Sequence, residues 1–244
     1  MKEIIVAVAG QPNSGKSTIF NMLTGARQHV ANYPGVTVEK RTGKYSYKGN
    51  TVTLVDLPGT YSLTSYSQEE RIARDFLLHE KPAVVLDIVD AANLERNLYL
   101  TFQLGEMGIP LVVALNMMDV AETRGLKIDT FKLSELLRAT VVATVGKKGK
   151  GGNELKEAIL NTYKGGHFRM GYGDACESCG ACPGISREKG SFRVDYGEKL
   201  EPILKPLEKM LSEDPKISVR YPVRWLAIKL IENDSEAHRL IEVL

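Results

Sequence analysis

The chain has 244 residues, 43% of them hydrophobic, with 32 basic and 30 acidic side chains and a net charge of +2. That is enough apolar material for one sizeable core and a small second unit, while the near-neutral balance lacks the basic footprint of a nucleic-acid binder. No apolar run reaches 18 residues, so no segment is long enough to cross a bilayer as a helix. The three cysteines crowd into residues 176–182, which argues against a disulfide scaffold and for a reducing compartment.

Met1, Lys2 and Glu3 run straight into Ile4, Ile5, Val6, Ala7 and Val8 without a small-residue cleavage site. Residues 4–9 therefore read as a buried strand and not as a signal peptide. Gly10, Gln11, Pro12, Asn13, Ser14, Gly15, Lys16, Ser17 and Thr18 follow, opening a helix predicted over 16–23. Strand, glycine loop and helix in that order are the setting of a phosphate-binding loop. Gly10 and Gly15 let successive N–H groups point inward, and the helix adds its positive dipole end. Lys16 would reach the β- and γ-phosphates and Ser17 would hold Mg²⁺. Next comes a polar, turn-rich connection, Asn32, Tyr33, Pro34, Gly35, Val36 and Thr37. Thr37 is a candidate to close over Mg²⁺ and to be released on hydrolysis, and a generic strand-edge Thr is the alternative.

A strand over 51–55 delivers Asp56, Leu57, Pro58 and Gly59. An Asp leaving a buried strand at the carboxyl edge of a sheet stands where α/β sheets bind ligands. It can hold Mg²⁺ through a water, with the Gly59 N–H reaching a γ-phosphate; a turn Asp is the other reading. Thr60 stands where Ras-like GTPases carry a water-orienting Gln, so a cation is the alternative source of rate. The neutral side-chain oxygen of Asn13 suits K⁺. A helix over 68–79, a strand over 84–89, a helix over 94–107 and a strand over 111–115 continue the alternation. Val/Ile/Leu runs of this kind are buried on both faces, as in a parallel sheet, and the order implies a doubly wound α/β fold.

After the strand at 111–115 stand Asn116, Met117, Met118 and Asp119. A carboxylate there accepts hydrogen bonds from guanine N1–H and from its exocyclic amine, and adenine offers neither. Met117 replaces a usual Lys, and Asn116 would tie this loop to the phosphate loop. A helix over 132–138 and a strand over 140–143 lead to Ala143, Thr144 and Val145. There the Gly146 N–H is expected to meet guanine O6, although Val145 and Gly146 replace a usual Ser-Ala pair. A helix over 153–163 closes the unit.

Residues 165–194 show no periodicity and carry Cys176, Cys179 and Cys182. Three thiolates at this spacing suit Zn²⁺ or an iron–sulfur cluster, with His167, Asp174 or a partner chain as a fourth ligand; a loop with free thiols is the alternative. From about 195 to 244 the pattern is helical, punctuated by Pro202, Pro206, Pro215 and Pro222, with apolar faces over 203–211, 225–231 and 237–244. The pattern reaches Leu244 without a stop signal, as expected of a piece of something longer.

The motifs at 11–17, 32–40, 56–63, 67–77 and 116–119, and the run at 220–230, resemble the cytosolic G domain and helical domain of the FeoB ferrous iron transporter family. The resemblance covers most of residues 3–164 and resumes near 196. It implies a Ras-like phosphate-loop GTPase fold with a mostly parallel sheet over 1–164, an irregular insert over 165–194 and a small helical, dissociation-inhibitor-like domain over 195–244. It further implies GTP and GDP binding, Mg²⁺ at Ser17 and Thr37, K⁺ at Asn13 and K⁺-stimulated hydrolysis. The setting would be the cytoplasmic side of a prokaryotic inner membrane, as a soluble part of a longer Fe²⁺ transporter. Partners would be its membrane permease domain, small Feo accessory proteins and possible further copies of the chain, and no nucleic acid. The competing expectation is a GTPase of RNA modification or ribosome assembly, which would need a basic face.

Overall fold

The computed structural model describes residues 3–25, 28–33, 36–64, 66–165 and 194–242. The chain runs β1 (Glu3–Gly10), α1 (Lys16–Thr24), β2 (Gln28–Asn32), β3 (Glu39–Tyr47), β4 (Asn50–Asp56), α2 (Gln68–His79), β5 (Val84–Asp90), α3 (Leu94–Glu106), β6 (Leu111–Asn116), α4 (Met118–Thr123), α5 (Thr130–Leu137), β7 (Thr140–Ala143) and α6 (Gly152–Tyr163). Then come α7 (Gly197–Glu213), α8 (Pro215–Ser218), α9 (Val223–Ile231) and α10 (Ser235–Glu242).

Seven strands form one sheet in the order β2-β3-β4-β1-β5-β6-β7. β4, β1, β5, β6 and β7 are mutually parallel, and β2 and β3 add an antiparallel edge. Those two strands carry little apolar signal. Gln28–Asn32 is exposed throughout, and no period-2 pattern marks it in the sequence. The polar connection expected over 32–37 thus begins at Asn32, the last residue of an edge strand.

The strands present alternate residues to two cores. Ile4, Val6, Val8, Val84, Leu86 and Ile88 pack with α1 and α6 on one face. Ala7, Ala9, Val85, Val89, Val113 and Leu115 face α2 and α3 on the other. The last helices share this second core, since Leu204, Leu211, Ile217, Trp225, Leu226 and Ala227 are buried with Leu100 and Leu104 of α3. Arg74 of α2 lies 4.0 Å from Asp234, and Lys81 donates to Val219 O at 3.1 Å, across the same junction. α7 runs through Pro202 and Pro206, where the sequence suggested breaks. Each proline removes one intrahelical hydrogen bond, and the burial of Leu204 and Leu211 where α7 packs on α9 outweighs that loss.

Asp87 is the exception in the buried strand β5. It is 1% exposed, beside Ala9 and Val113 in register, and Thr101 Oγ1 of α3 donates to its Oδ2 at 2.6 Å. Burial pushes its carboxyl up to about 7 from 3.8. The folded protein therefore holds a proton that the unfolded chain releases above pH ~4, and stability falls as pH rises until both states are ionised above pH ~7. Urea unfolding should show Asp87→Asn gaining about 2–3 kcal/mol relative to the parent between pH 5 and 8. Parallel pH profiles for the two proteins would contradict this.

Candidate functional site

Because the central strands are parallel, their carboxyl ends meet at one sheet edge, and the candidate residues are brought together there. Val8 is level with Asp56, Gly10 with Ile88, Asp90 with Asn116, and Leu115 with Ala143. β1 ends at Gly10 with φ +153°. A Cβ there would stand 2.8 Å from Ile88 O. Asn13 follows in the left-handed region at φ +68°, a conformation that Asn tolerates better than most residues. Gly15, at φ +88°, starts α1, and a Cβ on it would stand 2.2 Å from Asn116 Nδ2. Both glycines are thus required where the loop from Gly10 to Ser17 packs closely against β5 and Asn116. Ser14 Oγ is buried and has no hydrogen-bond partner among the described residues.

Lys16 Nζ lies 2.5 Å from Asp56 Oδ1, with both side chains largely buried. Asp56 is positioned by β4, and Leu57 N donates to Val8 O at 3.0 Å, locking the strand end to β1. Pro58 continues this segment. Gly59 packs on Pro12, and Thr60 N donates to Gly10 O at 3.4 Å, so the segment after β4 lies directly against the loop at 10–17. Pro12 and Thr18 are half-buried, whereas Asn13 and Ser17 are exposed at the rim. Thr37 is exposed between β2 and β3, beside the half-buried Val36. Gly35 lies outside the described residues, as do Cys176, Cys179 and Cys182 with His167 and Asp174. Among the described residues, no group of three or more His, Cys, Asp or Glu side chains is placed to hold a metal.

Asn116 joins the two halves of the site. Its Nδ2 donates to Ser14 O at 2.9 Å, and its Oδ1 accepts from Gly146 N at 3.0 Å and from Thr144 Oγ1 at 3.3 Å. One buried amide thus fixes the loop at 10–17 to the turn at 144–146 and to the end of β6. The Gly146 N–H, expected to face guanine O6, is committed to Asn116 instead. Met117 adopts φ +62° to start α4, and Met118 N donates to Thr144 O at 3.4 Å. This turn places Asp119 in the first turn of α4. Its side chain is about a third exposed, and Lys148 Nζ lies 2.8 Å from Oδ2. The hydrogen bond from Lys148 holds the Asp119 carboxyl below its usual range.

Several contacts of these and neighbouring residues escaped the sequence reading. Tyr33 is buried and donates to Asp56 O at 3.1 Å, with Lys40 over its ring. Gln11 turns its carboxamide away from the cradle to donate to Arg96 O at 2.7 Å. The Arg96 guanidinium in turn stacks 4.5 Å from the Tyr61 ring centroid. Glu70 accepts from Ser62 at 2.8 Å and Thr64 at 2.7 Å, pinning the loop before α2 to the capping box that starts this helix. These residues are separated by 23 to 85 positions or lie in irregular loops, so no periodicity marks them. Lys148 had a visible signal in the basic run after β7.

A sheet of this topology with a glycine cradle after its first parallel strand, an Asp at the end of the neighbouring strand and an Asn-x-x-Asp loop further along defines a Ras-like phosphate-loop GTPase fold. Two family models match the chain: ferrous iron transport protein B over residues 4–159 and the FeoB cytosolic helical domain over 196–243. The chain belongs to the FeoB family of ferrous iron transport proteins. It is 40% identical over 239 residues to the Fe(2+) transport protein A/Fe(2+) transporter FeoB fusion protein of Porphyromonas gingivalis, covering 98% of this chain and 26% of that protein. It is 39% identical over 241 residues to the Fe(2+) transporter FeoB of Escherichia coli K12, covering 96% of this chain and 27% of that one. The chain thus spans about a quarter of the length of these curated relatives. Among solved structures, the cytosolic domain of T. maritima FeoB in a GDP form superposes with a TM-score of 0.82 at 38% identity, covering 98% of this chain and 87% of that one. The GMPPNP form of the same domain gives 0.79 at 39% identity, covering 97% and 86%. The family membership favours the transporter expectation over the RNA-modification one. Among the described residues, no helix is long and apolar enough to cross a membrane.

Proposed function

We propose that this chain binds GTP and hydrolyses it with K⁺ stimulation, as the cytoplasmic regulatory part of a prokaryotic Fe²⁺ transporter. The observation that carries the reading is the Asn116 tie, which holds a phosphate cradle and a guanine-reading carboxylate at a fixed spacing. In this reading Gly10, Gln11, Pro12, Asn13, Ser14, Gly15, Lys16, Ser17 and Thr18 wrap the phosphates. Gly35, Val36, Thr37, Asp56, Leu57, Pro58 and Gly59 border the γ-phosphate. Asn116, Met117, Met118, Asp119, Ala143, Thr144 and Val145 frame the base. The buried Ser14 hydroxyl, which has no hydrogen-bond partner among the described residues, fits an added oxygen acceptor beside the loop. The T. maritima neighbours in GDP and GMPPNP forms support the nucleotide class.

The hydroxyls of Ser17 and Thr37 and the carboxylate of Asp56 are hard oxygen donors that fit Mg²⁺. Mg²⁺ neutralises phosphate charge when bound. Asn13, in its left-handed turn at the exposed rim, offers a neutral oxygen for K⁺. Thr60 brings no carboxamide to orient water, so the chain's own contribution is the Lys16 ammonium and the backbone N–H groups of the cradle and of Gly59. The relatives' role in Fe²⁺ transport supplies the setting. There residues 1–164 would act as the nucleotide switch and residues 195–244 would tune its affinity. The membrane permease part of the same parent chain, at the cytoplasmic side of the inner membrane, would be the partner, with small Feo proteins and further copies of the chain as additional ones. Cys176, Cys179 and Cys182 would offer Zn²⁺ or an iron–sulfur cluster its thiolates.

Phosphate release from GTP should be faster in KCl than in NaCl at matched ionic strength. Asn13→Ala should abolish the difference while retaining GDP binding. Equal rates in the two salts, or a K⁺ effect that survives the substitution, would refute the cation assignment.

A further inference from the structure

Lys148 ends the helical turn Gly146–Lys148. Its backbone is held from both sides. Gly146 N donates to Asn116 Oδ1, and Val145 and Lys150 exchange backbone hydrogen bonds at 3.2 and 3.3 Å around the turn. Gly149 at φ +67° and Gly151 at φ +89° close it, and a Cβ on Gly151 would stand 2.7 Å from Ala143 O. The amide that anchors this turn also ends the strand leading to Asp119. The two side chains therefore meet by construction, with Nζ 2.8 Å from Oδ2, while Val120 N donates to Oδ1 at 3.1 Å. Both oxygens that guanine would use are thus engaged by the protein itself.

We propose that Lys148 is a built-in latch on the base-reading carboxylate, which an incoming guanine must displace. The inference rests on the guanine-binding reading above. Lys148 has somewhere to go, since its side chain is 59% exposed and water can replace the carboxylate as its partner. Asp119 has no such freedom, being carried on the first turn of α4. Oδ2 is the oxygen that gains a base donor when the ammonium leaves. Because both partners are partly solvated, the latch is weak and reversible. It sets how readily the site captures guanine, not whether it does. It acts on the base alone, so GDP and GTP are affected alike.

The test is binding of fluorescently labelled GDP and GTP to the whole chain carrying Lys148→Gln, at low salt and at about 0.5 M NaCl, where exposed ion pairs are screened. At low salt the variant should bind both nucleotides roughly two- to fivefold more tightly than the parent, by a common factor and through faster association. The gap should narrow at high salt. In an Asp119→Asn background, where no carboxylate remains to latch, Lys148→Gln should leave the affinity for xanthosine diphosphate unchanged. Equal or weaker GDP binding by Lys148→Gln, with the parent binding GDP normally, would overturn the latch alone. A parent protein that binds no guanine nucleotide would overturn the guanine reading and the latch together.

Discussion

Replacing Asp119 by Asn should reverse the base preference, weakening GDP by about 10²–10³ relative to xanthosine diphosphate. An ionised carboxylate accepts from both guanine N1–H and the exocyclic amine. An amide presents one acceptor and one NH₂, and the NH₂ meets a donor on guanine but a carbonyl on xanthine. A site built to hydrogen-bond its ligand can discriminate by ~10⁴–10⁵ when the polar group left unpaired is fully buried. Asp119 is about a third exposed, so water can reach the mismatched pair, and the smaller factor is expected. Fold stability should change little, because among the described residues the Asp119 side chain makes no long-range hydrogen bond or ion pair other than the exposed Lys148 pair. Competition binding with guanosine, xanthosine and inosine diphosphates reads the effect. An unchanged order of preference would remove Asp119 from the base site.

Lys16→Ala should lower the rate of GTP hydrolysis by about 10²–10³, the scale set by removing one preorganised donor from a transition-state charge. It should weaken GTP binding as well, since hydrogen bonds to charged groups contribute about 1.5–3 kcal/mol. A second effect complicates the reading. Lys16 is the ion-pair partner of Asp56, and that carboxylate is only 9% exposed. Removing one member of a buried pair leaves the other uncompensated, at a cost of about 3–5 kcal/mol. The single variant should therefore unfold at a lower urea concentration even without nucleotide. Lys16→Ala combined with Asp56→Asn should recover most of the stability and none of the hydrolysis. Full stability in the single variant, or activity in the double one, would contradict the pairing.

The contrast between what was legible in the chain and what was not follows from the physics of each feature. β5, β6 and β1 from Val6 onward are buried on both faces and written mostly in Val, Leu, Ile and Ala, so composition alone marks them. The glycine turn at 10–17 was legible because its glycines are required at fixed positions, and Gly10 and Gly15 do adopt positive φ. β2 escaped because an exposed edge strand needs no apolar pattern, and α4 because a short helix behind a left-handed Met117 has no capping signature. Pro202 and Pro206 misled because helix propensity is local, whereas the packing that keeps α7 continuous is tertiary. The Gly146 N–H was assigned to the base because its neighbours in sequence suggested it. Its partner, Asn116 Oδ1, lies 30 residues away and is found only in the folded chain.

The most direct measurement is titration calorimetry of the whole chain with GDP and with ADP in the presence of Mg²⁺. One GDP per chain should bind, with ADP showing no saturable heat under the same conditions. No uptake of guanine nucleotide, or equal binding of the two, would contradict the assignment of this sheet edge as a guanine-nucleotide site.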